Sequence, residues 1–198
     1  QLVRLARWRN HAVKCFLDDP DDPNGFTVDV MPALRYGDHL RIPEALSSAW
    51  VECDPESLIS TVAAKHAQWN KFAGTIRILK RWATDQDFKI KSLVMETLAL
   101  EHLPLDMNQP AALKQFFVAA TYSIEGLEEV SDPAGYCGPI QPALDYSKLA
   151  ERLRDARDNA TRALQAAANN DSAGALWCWG QIFGADFPHD PDPNNRPV

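Results

Sequence analysis

Apolar and polar positions alternate in two short runs near the start of the chain. Ala12-Val-Lys-Cys-Phe-Leu-Asp18 alternates loosely and Phe26-Thr-Val-Asp-Val-Met31 strictly, the period of a half-exposed strand. Between them Asp18-Asp-Pro-Asp-Asp-Pro-Asn-Gly25 is dense in turn formers, so the stretch predicts a hairpin. Phe26, Val28 and Val30 then share one face and Thr27, Asp29 and Met31 the other. Residues 32–53 carry Pro32 and Pro43 and no clear period, which predicts a connecting segment with one short strand.

From residue 54 the period changes. Asp54 before Pro55 is a helix-start signal. Ile59, Val62, His66, Trp69, Phe72, Ile76 and Leu79 recur at threes and fours, predicting one long amphipathic helix to about Thr84, with His66 and Trp69 in its packed face. Further helical patterns cover 90–102, 110–124, 145–169 and 172–183, and the last presents Trp177, Trp179 and Phe183, with Phe187 after it, as its anchor. The proline-rich stretch 188–198 reads as a flexible tail. The fold class is therefore α+β: a short antiparallel hairpin in 1–53, a helical domain in 54–187 and a tail.

With 198 residues, 45% of them hydrophobic, the chain can bury a sizeable core. No run is long and apolar enough for a membrane helix, which predicts no membrane association and a cytoplasmic setting. Cys15, Cys53, Cys137 and Cys178 show neither a Cys-x-x-Cys pair nor zinc spacing and read as free thiols. A formal charge of −7 argues against coating bulk nucleic acid, because that affinity comes from neutralising phosphates. It still allows a small anion held by a local basic cluster. The chain begins with Gln1 and enters the fold with no lead-in, from which an earlier start of the native polypeptide is expected.

Three features carry candidate chemistry. Asp29 stands between two valines in a strand, where aspartate is disfavoured. It reads either as a metal ligand on a rigid element or as a solvated residue on an edge strand. Arg77, Lys80 and Arg81 share a helix face and read as a triphosphate-binding cluster or as a solvated basic face. Lys89-Ile-Lys-Ser92 opens the next helix and reads as an anion site at free N–H groups or as an ordinary cap.

In this order the features resemble a known family. Val28-Asp-Val-Met-Pro-Ala33 resembles the third-carboxylate strand of polymerase β-type nucleotidyltransferases. Trp50-Val-Glu-Cys-Asp-Pro55, Arg77-Ile-Leu-Lys-Arg-Trp82 and Lys91-Ser92 resemble the bacterial cyclic-oligonucleotide synthases of anti-phage signalling, relatives of oligoadenylate synthetase. Ser131-Asp-Pro-Ala-Gly135 and Trp179-Gly-Gln-Ile-Phe-Gly-Ala-Asp-Phe-Pro188 resemble later landmarks of that group. The resemblance implies that residues 1–53 are the end of a nucleotidyltransferase core. It implies that Asp29 is a metal-binding catalytic carboxylate, and that Lys80 and Ser92, with Arg77 in support, hold the donor triphosphate. It further implies two magnesium ions, nucleoside triphosphate substrates, a cyclic di- or trinucleotide product, a downstream effector that responds to it and a regulatory protein partner.

The chain departs from the pattern in two places. Nothing in residues 1–25 matches the family's Gly-Ser loop and paired Asp-x-Asp strand, so the 198 residues by themselves are expected not to catalyse. Leu93 follows Ser92 where several relatives carry a tyrosine that can stack on a base. Two other readings stay open: a transferase adding nucleotides to an RNA or protein acceptor, and a non-catalytic interaction module.

Overall fold

The computed structural model describes residues 6–22, 24–126, 129–184 and 187–188. The expected tail beyond Pro188 lies outside them, as do Ala185 and Asp186 of the Trp179–Pro188 motif. The chain divides into two compact units, Gln1–Ile59 with Ala134–Cys137, and Ser60–Pro133 with Gly138–Val198.

The first unit holds two three-stranded antiparallel sheets. In one, β1 (Ala6–Trp8), β2 (Val13–Phe16) and β3 (Thr27–Val30) lie side by side in chain order, which bears out the hairpin and adds a strand before it. The ten-residue stretch 17–26 closes on itself through its aspartates. Asp18 accepts from the Phe26 N–H (2.8 Å), Asp19 from Asp21 (3.0 Å) and Asp22 from Asn24 (2.9 Å). These carboxylates are committed to the loop's own backbone.

The second sheet corrects the expectation for 32–53. That stretch is β4 (Leu34–Tyr36), β5 (His39–Glu44) and β6 (Ala49–Cys53), ordered β4-β5-β6. The first turn rests on Gly37 at φ +64°, a region open to glycine. Pro43 pairs with Trp50 of β6 but lies past Arg41, the β5 residue that meets the first residue of β4, so its missing N–H leaves no ladder bond unmade. Each face of this sheet mixes charged and apolar residues, which hides the two-residue period. Asn10 ties the two sheets together, its carbonyl accepting from Ala45 (2.7 Å) and its side chain from Leu46 (3.1 Å).

The predicted long helix is two helices, α1 (Pro55–Gln68) and α2 (Phe72–Thr84). Asp54 caps α1 through the Ser57 N–H (2.9 Å), as its sequence signal implied. The helical ladder tightens at Trp69, whose carbonyl accepts from Phe72 (2.9 Å), and the phase of the apolar stripe is reset there. Hence α1 buries no residue, whereas α2 buries six. His66 is exposed and Trp69 half-buried, so neither is the core residue that a continuous stripe required.

The remaining helices are α3 (Ser92–His102), α4 (Gln109–Glu125), α5 (Tyr146–Ala168) and α6 (Ser172–Phe183), close to their sequence patterns. Three of them start on side-chain caps: Asn108 on Ala111 (3.0 Å), Asp145 on Lys148 (2.9 Å) and Asp171 on Gly174 (2.9 Å). The alanine-rich face of α5, with Ala150, Ala156, Ala160 and Ala163 buried, packs against both α4 and α6. Phe116 and Phe117 of α4 are fully buried, and Phe117 meets Trp82 of α2 edge to face at 5.5 Å. In α6 the buried anchor is Trp179. Trp177, expected beside it, is 58% exposed.

Candidate functional site

Asp29 lies in β3, and its placement follows from the pleat. Paired residues of the first sheet sort into two faces: Ala6, Trp8, Val13, Cys15, Val28 and Val30 on one, Arg7, Lys14, Phe16, Thr27 and Asp29 on the other. The aspartate thus continues the polar face, with Lys14 directly opposite on β2. Both cations of that face lie over the Phe16 ring, Arg7 at 5.0 Å and Lys14 at 5.5 Å from its centroid. Among the described residues the Asp29 carboxylate accepts no hydrogen bond and has no ion pair. It is an exposed carboxylate on a strand, beside two positive charges.

The second unit holds the other predicted site residues. Lys80 of α2 donates to the Glu96 carboxylate of α3, and both side chains are largely shielded from solvent. Ser92 is the first residue of α3, one turn before Glu96 on the same helix face. The pair therefore brings Lys80 to the face that carries Ser92. Lys91, the α3 N-cap, is extended and supplies no side-chain cap, and among the described residues no capping side chain occupies the first N–H groups of the helix.

The approach to α3 is held from a distant part of the chain. Gln141 accepts from the Lys91 N–H (2.7 Å) and donates to the Lys89 carbonyl (2.8 Å), while Lys91 Nζ donates to the Ile140 carbonyl (2.8 Å). Lys91 is thereby a structural residue, and Ser92 beside it is exposed. Arg77, one turn before Lys80 on α2, lines a groove with Gly74 and Arg81.

Sequence reasoning missed Glu96, whose signal was its spacing of four from Ser92. It also missed a cluster in the first unit. Arg41 donates twice to Glu52 (3.2 and 2.7 Å) and its guanidinium lies 3.4 Å from the Tyr36 ring centroid. These hydrogen bonds, with the positive charge beside them, hold the Glu52 carboxyl below the usual carboxylate range. His39 approaches Glu52 at 3.4 Å and stacks on Tyr136 at 4.6 Å. The Cys137 thiol donates to the Glu52 carbonyl (3.1 Å). The segment after the Ser131–Gly135 motif is thus fastened onto the second sheet, which gives Glu52 of the Trp50–Pro55 motif a structural task.

A two-metal centre needs converging ligands. Among the described residues no three histidine, cysteine, aspartate or glutamate side chains gather where they could hold a metal ion. Asp29 alone does not make a magnesium site. Nor is any helix among the described residues long and apolar enough to cross a membrane.

Against known proteins, no family model matches the chain. It is 25% identical over 179 residues to a probable cyclic nucleotide synthase of Bacillus cereus (strain VD146), covering 84% of this chain and 53% of that protein. The chain thus spans about half the length of the curated relative it matches. Its fold is shared with CdnC of E. coli MS115-1 solved with ATP, at TM-score 0.72 and 17% identity, over 93% of this chain and 66% of the other. The same CdnC in its complex with HORMA-deltaN gives 0.68 at 18% identity over 93% and 65%. The CD-NTase CdnG of Bradyrhizobium diazoefficiens in complex with GTP gives 0.57 at 10% identity over 89% and 68%. The α+β architecture is that of these neighbours, and the resemblance to a bacterial cyclic nucleotide synthase extends over 84% of the chain.

Proposed function

We propose that this chain forms part of a nucleotidyltransferase that condenses nucleoside triphosphates into a cyclic di- or trinucleotide messenger in anti-phage signalling. The observation that carries this reading is the similarity to a probable cyclic nucleotide synthase over 84% of the chain. The ATP and GTP bound by the structural neighbours support nucleoside triphosphates as substrates. The HORMA complex of CdnC supports a regulatory protein partner. A downstream effector that responds to the product completes the scheme, and the setting is cytoplasmic.

In this reading Lys80 and Ser92 contact the donor triphosphate. An anion approaching the start of α3 meets free N–H groups and the positive end of the helix dipole. Lys80 supplies a flexible positive charge from the neighbouring helix, and Glu96 holds it ready between turnovers. Arg77 supports them with positive charge from one turn away on α2. Asp29 is one carboxylate of a trio that holds magnesium in the complete enzyme. With that one alone, the 198 residues do not catalyse by themselves.

The test is product analysis with the complete polypeptide, nucleoside triphosphates and magnesium. A phosphatase-resistant product made by the wild type and lost in Asp29→Ala supports the reading. Linear or protein-linked products would move the chain to a different class of nucleotidyltransferase. Activity that survives Asp29→Ala overturns the site assignment.

A further inference from the structure

A groove of about 940 Å³ lies within the helical unit, between α2, the start of α4 and α6. That is the size of a small-ligand pocket, which runs to about 300–1,000 Å³. One wall is aromatic. Trp179 and Phe183 stack with centroids 6.0 Å apart and planes 14° apart, and Phe183 and Phe187 stack at 5.8 Å and 28°. The facing wall is α2, which contributes Gly74, Arg77 and Arg81. Arg77 is exposed, and among the described residues its side chain has no ion pair or hydrogen bond.

Gly74 supplies the second observation. A glycine inside a helix lowers its stability relative to alanine, so it calls for a packing or functional reason. Packing does not give one here. A Cβ built on Gly74 would meet only the Arg77 guanidinium at 3.9 Å, an ordinary contact. The space that a side chain would fill is the groove itself, and glycine keeps it open beside the unpaired cation.

We propose that this groove binds a small aromatic carboxylate, its flat apolar body against Trp179 and Phe183 and its anionic head on Arg77. Aromatic rings accept a flat apolar body, and a guanidinium matches a carboxylate with two parallel hydrogen bonds. The groove is lined by neither Lys80 nor Glu96, and the proposal does not depend on the reading of the chain as a nucleotidyltransferase.

The test is isothermal titration of the full chain with 1-naphthoate and with its neutral analogue 1-naphthylmethanol. One-to-one binding of naphthoate is expected, with the neutral analogue weaker. Gly74→Leu should abolish it while the helical circular dichroism is retained, because leucine favours the helix and fills the groove. Leu176→Trp, which fills the groove from α6, guards against a folding defect in the first variant. Arg77→Gln should weaken naphthoate about tenfold, the loss of one charge-assisted contact, and leave the neutral analogue unchanged. No saturable heat at millimolar naphthoate, undiminished affinity in both filled variants, or equal affinity for the neutral analogue would overturn the proposal.

Discussion

Lys80 on α2 and Glu96 on α3 form an ion pair across two helices, one turn along α3 from Ser92. The lysine side chain is 30% exposed and the glutamate 18%, so each charge has lost much of its water and relies on the other. Glu96→Gln should therefore lower stability by about 1–3 kcal/mol, read as a fall in the urea midpoint. Under the proposed function, Lys80→Met in the complete polypeptide should raise the KM for nucleoside triphosphate by about tenfold or more, as expected if it removes one charge-assisted phosphate contact. A steady-state titration checks it.

Asp29 offers the opposite combination. It is exposed and unpaired among the described residues, so Asp29→Asn should change the stability of the chain by no more than about 0.5 kcal/mol. Under the proposed function, the same substitution should remove cyclic product in the complete polypeptide. Unfolding curves together with a product assay separate a functional carboxylate from a structural one.

The core of the helical unit should be sensitive at α4 and tolerant at the outer face of α6. Phe116→Ala removes a fully buried ring that touches Phe117 at 5.4 Å between centroids, and should cost about 3–5 kcal/mol. Trp177→Ala, at a 58% exposed position, should cost less than about 0.5 kcal/mol. Thermal melts of the two variants give the contrast.

Acid should loosen the second sheet through Glu52. Hydrogen bonds from Arg41 lower its folded-state pKa, so the folded chain holds fewer protons there than the unfolded chain. Its stabilisation is present above the unfolded value of about 4.3 and is lost as pH falls through the lower folded value. Asp87, lowered chiefly by its hydrogen bond with Lys148, acts with the same sign in the helical unit. Arg41→Met should therefore reduce the drop in urea midpoint between about pH 6 and about pH 3.

The later helices were legible because local signals agree with the tertiary packing. Asn108, Asp145 and Asp171 cap the helices they precede, and the apolar period continues without interruption behind each cap. The second sheet was not, because its pairs mix kinds: Arg41 faces Glu52 while Ile42 faces Val51, and only the fold shows which side is covered. The break at Trp69 carries no proline or glycine, so periodicity ran through it. Of the candidate site, the strand that bears Asp29 and the helix starting at Ser92 could be read from spacing. The Lys80–Glu96 pair could not, since it joins residues on separate helices. Nor could the groove beside Arg77, which depends on where α6 meets α2.

Gln141 reaches the backbone of Lys89 and Lys91 across 52 and 50 positions of chain. These bonds close only when the chain returns across that separation, so they add to the contact order rather than to local propensity. The geometry at the start of α3 therefore rests on closures that no local segment supplies. A peptide spanning residues 89–102 would have helix-forming residues but no Gln141 to set its first turn. The backbone geometry before Ser92 is set by the completed fold, with Gln141 holding Lys89 and Lys91 from a distant part of the chain.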